Sequence, residues 1–217
     1  TYPGVYGIQL GDEPKYTVLN SYAAVYKAVK EVCEENNWNL HIQFTLNPML
    51  YNNIIFNGGY YGPGNGKEWD DNYGLSAKVE ETKNRYTQYI EAFLNAMEPD
   101  SIMYDDYPLM LDDSKQAIRD LYIANLQIVA KAAAEKGIPF YHVTQAFENN
   151  DDGNKVRRKV TEKGAQWMNN ILLGFGVKQI AYYTYYTRNE SNLTGDESYV
   201  DGSSFVDYNG NPTDLYY

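Results

Sequence analysis

Two carboxylates and a proline, Asp12-Glu13-Pro14, close the apolar run Val5-Tyr6-Gly7-Ile8-Gln9-Leu10-Gly11. A β-strand that stops in acids places them at its carboxyl end, where the loops of α/β proteins build their active sites. Three later runs end in the same manner, at Leu46-Asn47-Pro48, Tyr104-Asp105-Asp106-Tyr107-Pro108 and Thr144-Gln145. Together they predict one polar pocket lined by acids, amides and tyrosines. The chemistry such a pocket suits is cleavage of a bond between sugars. One protonated carboxyl delivers a proton to the leaving oxygen, and a second carboxylate attacks the anomeric carbon or activates water. Glu13 is the expected general acid. Asp105 is expected as the second carboxylate or as an acceptor for a sugar hydroxyl. Strand alternation sends Asp105 and Asp106 to opposite faces, so only one of them faces the pocket in regular strand geometry. Glu148, in a loop three residues beyond Gln145, is a further carboxylate candidate.

Around these acids stand groups suited to binding. Asp12 accepts hydrogen bonds, and the amides of Asn47 and Gln145 both donate and accept, as sugar hydroxyls require. Tyr107, Tyr183 and Tyr186 offer ring faces for stacking, and so does Trp69 in a long loop. His142 falls on the strand face away from Val143 and Gln145 and reads as a structural histidine. Cys33 is the only cysteine, so no internal disulfide forms, and it reads as a buried helix residue. No His, Cys or carboxylate cluster has zinc spacing, and no nucleotide-gripping glycine motif follows the first strand. No metal and no cofactor are therefore expected.

The 217 residues suffice for a single domain with a substantial core. A net charge of -11 argues against nucleic-acid partners and against docking to an anionic membrane. No apolar run reaches transmembrane length.

Elements that could position the site alternate along the chain. Strands are predicted at Val5–Leu10, Leu40–Leu46, Ser101–Tyr104, Pro139–Thr144 and Gln179–Thr184. Between them run helices from about Thr17 to Asn36, Ser76 to Met97, Ser114 to Glu135 and Lys159 to Leu173. A glycine- and asparagine-rich loop, Asn52–Gly74, follows the second strand, and Tyr185–Tyr217 reads as turn-rich and irregular. Short apolar strands separated by crossover helices predict a parallel sheet. Two architectures satisfy this order. One is part of a (β/α)8 TIM barrel, with about five parallel strands and four crossover helices. The other is an open doubly wound sheet.

The run Gly7-Ile8-Gln9-Leu10-Gly11-Asp12-Glu13-Pro14 resembles the fourth strand of clan A-like (β/α)8 glycoside hydrolases, above all β-galactosidase-like and gut-bacterial relatives. Tyr104–Pro108 resembles their sixth strand, Phe140–Phe147 the seventh and Ile180–Thr187 the eighth, and Asp207–Thr213 resembles their tail. The resemblance implies residues 1–217 form one glycoside-hydrolase-like domain without its first three β/α units. It implies a carbohydrate substrate, Glu13 as acid/base, and a secreted or cell-surface bacterial setting. It also exposes a departure. The family's nucleophilic glutamate ends the seventh strand, where this chain has Gln145, and an amide cannot form a glycosyl-enzyme ester. Glu148 or Asp105 would then serve, or the chain binds carbohydrate without turnover. A partial barrel leaves two strand edges open, which implies a homodimer through those edges.

Overall fold

The computed structural model describes residues 4–49, 55, 75–110, 116–151, 154–187 and 197–217. Trp69 and nearly all of the Asn52–Gly74 loop lie outside them.

The expected strands form within two residues of their predicted bounds, as β1 (Gly7–Asp12), β2 (His41–Leu46), β3 (Ile102–Asp105), β4 (Phe140–Gln145) and, after two further short strands, β7 (Gln179–Tyr183). The helices are α1 (Leu19–Glu35), entered through a 3-10 turn at Tyr16–Val18, α2 (Leu75–Met97), α3 (Gln116–Lys136) and α4 (Glu162–Gly174). The five strands make one parallel sheet in the order β1-β2-β3-β4-β7. That order follows the chain and never reverses. A doubly wound sheet needs a reversal at its switch point, so the sheet is of the barrel type. The fold is a partial (β/α) barrel-like one with four helices.

Chain contacts divide the protein into two compact units, Thr1–Asp105 with Ile123–Tyr141, and Asp106–Tyr122 with His142–Tyr217. In the first unit the Phe44 ring of β2 is the hub. It meets Tyr22 and Tyr26 of α1 at 5.6 and 6.2 Å between centroids, and Phe93 of α2 at 5.9 Å. Gly11 of β1 lies directly over this ring, where a Cβ would come within 2.8 Å of a Phe44 ring carbon. α1 is capped by Asn36, and Asn37 just beyond has φ 53°, the left-handed conformation that asparagine tolerates.

The second unit contains elements that the sequence pattern did not announce. β5 (Asn149–Asp151), β6 (Asn154–Arg157) and β8 (Glu197–Tyr199) form a separate antiparallel sheet in the order β6-β5-β8. The expectation that everything past Tyr185 is irregular is corrected here by β8. These strands are three or four residues long and mostly polar, so they carry no alternation to detect. α4 is capped by Thr161, whose hydroxyl accepts the Gly164 amide at 3.2 Å. Its Met168 packs with Leu109 and Val160, and Trp167 and Leu215 close around them.

Candidate functional site

In the first unit the site is assembled around the backbone of Glu13. Glu13 has φ 47°, a left-handed conformation that is costly for a residue with a side chain. Both of its backbone groups are held. Its amide donates to the Thr45 carbonyl at 2.7 Å, and its carbonyl accepts from Asn47 Nδ2 at 2.9 Å. The next carbonyl, of Pro14, accepts the Tyr89 hydroxyl at 2.7 Å, while the Tyr86 hydroxyl donates to the Asn47 carbonyl at 2.9 Å. Two tyrosines of α2 thus brace the turn that follows β1 and the end of β2. Strain that the surroundings over-determine in this way is a mark of a positioned side chain.

Asp105 ends β3, one strand beyond Asn47, and is only 7% exposed. The Tyr89 phenol is pushed far above its ordinary value. Burial is the main cause, hydrogen bonding with Asn47 works against it, and the charges of Glu13 and Asp105 add to it. Asn47 is 1% exposed, and its Nδ2 is the anchor of Glu13. Asp12 is exposed, and loss of water around its carboxyl raises its pKa. Gln9 Nε2 reaches Asp12 only at 3.5 Å but Thr45 Oγ1 at 2.8 Å.

In the second unit Asp106 is 5% exposed and accepts the Tyr107 amide at 2.8 Å. Its neighbour Asp105 is buried as well. Gln145 is fully buried. Its Oε1 accepts the Leu109 amide at 3.0 Å, and its Nε2 donates to the carbonyls of Phe147 and Arg158, each at 3.0 Å. That donor also lies 3.4 Å from the Leu109 carbonyl. The position is built for an amide, and its donors are spent on backbone. Glu148 is 7% exposed, and its backbone is fixed by the Ser203 hydroxyl and the Val200 amide, both at 3.0 Å.

Tyr107 and Tyr183 face each other at 5.8 Å, tilted by 34°. Phe147 meets both edge-on at 5.1 and 5.6 Å, and Tyr199 of β8 stands 5.2 Å from Phe147. The Arg157 guanidinium lies over Tyr107 and Phe147 at 5.3 and 5.6 Å, a cation–π arrangement in a buried setting. Tyr186 is not among these rings. It is 49% exposed, and its carbonyl accepts the Thr184 hydroxyl at 2.7 Å. His142 is fully buried, edge-on to Tyr122 at 5.9 Å, and burial lowers its pKa to about 3.

Among the described residues, no group of three or more His, Cys, Asp or Glu could hold a metal ion, and no helix is long and apolar enough to cross a membrane. No family model, no curated protein and no solved structure matches this chain.

Tyr86 and Tyr89 fall within the helix predicted over Ser76–Met97, where apolar period alone gives them no role beyond packing. They are fully buried, yet each hydroxyl holds a loop carbonyl of the site. The available signal was the phenol itself, since a buried tyrosine needs a hydrogen-bond partner. Arg157 and Tyr199 were missed for another reason: they arrive on the short polar strands of the antiparallel sheet.

Proposed function

We propose that this chain is the carboxyl-terminal part of a (β/α) barrel that hydrolyses O-glycosidic bonds of a carbohydrate. Glu13 acts as general acid/base and Asp105 as the second carboxylate. The observation that carries the reading is that Glu13 follows β1 and Asp105 ends β3, so both acids stand at carboxyl ends of strands of one parallel sheet. The strained, doubly anchored backbone of Glu13 supports it. Asn47, Tyr86 and Tyr89 serve as positioning residues for Glu13. Glu148 is the reserve carboxylate. Asp12, Trp69 and Tyr186 remain candidates for substrate binding, Trp69 outside the described residues. The likeness of β1 and its neighbours to clan A glycosidases supplies the substrate class and the secreted, bacterial setting.

One observation favours a second reading. Gln145 is locked into the fold where that clan keeps its nucleophile. A barrel so built can bind carbohydrate without turning it over.

The test is Glu13→Gln, assayed on a panel of aryl glycosides and neutral oligosaccharides beside the parent chain. Hydrolysis by the parent that falls at least ~100-fold in the variant is expected for loss of a general acid. Binding of oligosaccharide by both proteins, with hydrolysis by neither, would establish the second reading instead. Hydrolysis unaffected by the substitution would remove Glu13 from the mechanism.

A further inference from the structure

The second unit carries a run of aromatic rings that the proposed chemistry does not use. Tyr182 meets Phe205 edge-on at 5.2 Å, Phe205 stacks on Tyr185 at 5.9 Å, and Tyr185 meets Tyr216 at 6.5 Å. Tyr217 adds a further ring 5.4 Å from Tyr216. Tyr182, Tyr185 and Tyr216 are 37%, 59% and 48% exposed. Contiguous exposed aromatic surface of this kind marks an interaction site more often than a chance of packing.

The platform is held in shape before any ligand arrives. The Val206 amide donates to the Tyr185 carbonyl at 3.0 Å, and the Thr187 amide to the Val206 carbonyl at 2.8 Å. The Thr213 amide donates to the Phe205 carbonyl at 2.9 Å, and the Tyr216 amide to the Thr213 carbonyl at 3.0 Å. Asn169 Nδ2 donates to the Tyr182 hydroxyl at 2.8 Å and so orients that ring from α4. Leu215 turns inward onto Leu109, Val160 and Met168, which leaves its neighbour Tyr216 outside. A backbone tied in this way, with the Tyr182 ring held through its hydroxyl, has little ordering left to lose on binding.

Charge decides the occupant. The segment 197–217, which supplies Phe205, Tyr216 and Tyr217, contains the four acids Glu197, Asp201, Asp207 and Asp214 and no Lys or Arg. Such a rim repels phosphates, nucleic acids and anionic lipid. A neutral sugar ring presents a flat C–H face to an aromatic ring and turns its hydroxyls to phenol, amide and carboxylate oxygens. We infer that Tyr182, Phe205, Tyr185 and Tyr216 form a surface for a neutral, extended oligosaccharide, separate from the Glu13 chemistry. It is a binding surface and needs no catalytic residue.

The test is native affinity electrophoresis through gels containing hydroxyethyl cellulose, xyloglucan, laminarin or soluble starch. Gels with polygalacturonate, and a titration with a polyproline peptide, run beside them. Parent protein, Tyr185→Ala, Tyr216→Ala and Glu13→Gln are compared, with circular dichroism to confirm folding. Tyr216→Ala deletes a half-exposed ring and keeps the test open if Tyr185→Ala fails to fold. The expected result is retardation of the parent by at least one neutral polysaccharide. Tyr185→Ala or Tyr216→Ala should weaken it at least tenfold, and Glu13→Gln should leave it unchanged. Retardation that ignores both tyrosine variants, binding to polygalacturonate or the polyproline peptide alone, or no retardation in any gel would each overturn the inference. Loss of retardation in Glu13→Gln alone would place the sugar at the proposed active site and overturn it too. Failure of hydrolysis in the separate Glu13 assay leaves this surface untouched.

Discussion

Glu13 separates strain from chemistry at the level of one residue. Glu13→Gly and Glu13→Ala both delete the carboxylate, but only glycine relaxes at a φ of 47°. The glycine variant should be more stable than the alanine variant by about 1 kcal/mol. Urea midpoints measure the difference, and equal midpoints would mean that the turn is not strained. Gln145 offers the complementary experiment. Gln145→Glu places a carboxylate where Nε2 now faces backbone carbonyls. It should cost about 3 kcal/mol near neutral pH, through repulsion and an unpaired buried charge. Such a carboxyl has its folded pKa raised above the unfolded value. The penalty therefore grows as pH rises past about 4.3 and shrinks below it. Urea midpoints at two pH values check the sign, and a variant as stable as the parent at pH 7 would refute the strut. His142 titrates the other way. Its folded pKa of about 3 lies below the ordinary 6.5, so its neutral form is native. Stability is complete above pH 6.5 and falls as acid drives the unfolded chain to take up a proton, by up to ~1.4 kcal/mol per pH unit. His142→Phe should flatten that limb of the stability profile.

At the scale of elements, the β1–β2 pair shows how a small residue positions a strand. β1 lies parallel to β2, and the register shifts between Gln9 and Gly11 as the strand passes the Phe44 ring. That ring cannot retreat, because Tyr22, Tyr26 and Phe93 surround it. Gly11→Ala should therefore destabilise the protein by about 1–3 kcal/mol through overpacking, observable as a lowered melting temperature. It should also disturb Glu13, which follows two residues later on the same backbone. A neutral Gly11→Ala would mean that β1 yields more readily than its packing indicates. The two tyrosines of α2 act over a longer reach, tying the turns after β1 and β2 to one helix.

For the molecule as a whole, the open sheet edges carry the prediction. Among the described residues β1 and β7 are terminal in the sheet order. Val5 and Tyr6, which lead into β1, are 51% and 73% exposed. An unpaired edge flanked by exposed apolar residues invites a further strand. Sedimentation velocity should show association that grows with concentration, and a Val5→Lys, Tyr6→Lys double variant should suppress it. A parent chain that stays monomeric at every concentration would exclude edge pairing.

How much of this was legible in the linear chain differs by feature. The five parallel strands, the four helices and the alternation between them could be read from local apolar period and from Gly, Pro and Asn punctuation. These are signals within a few residues of one another. The chemical types at strand ends, Glu13, Asp105 and Gln145, were equally plain. What the sequence alone could not decide was occupancy and pairing. Burial of Asp106, the spending of the Gln145 and Asn47 amides on backbone, and the bracing of Pro14 by Tyr89 all join residues far apart in the chain. The antiparallel sheet was invisible for the same reason, since its strands are too short and polar to announce themselves and exist only where β5 finds β6 and β8. Local pattern determines which elements form, because a side chain's period is set by its own backbone. Only the folded chain determines which polar groups are consumed by the structure and which remain for a ligand, because that depends on the partners distant segments bring.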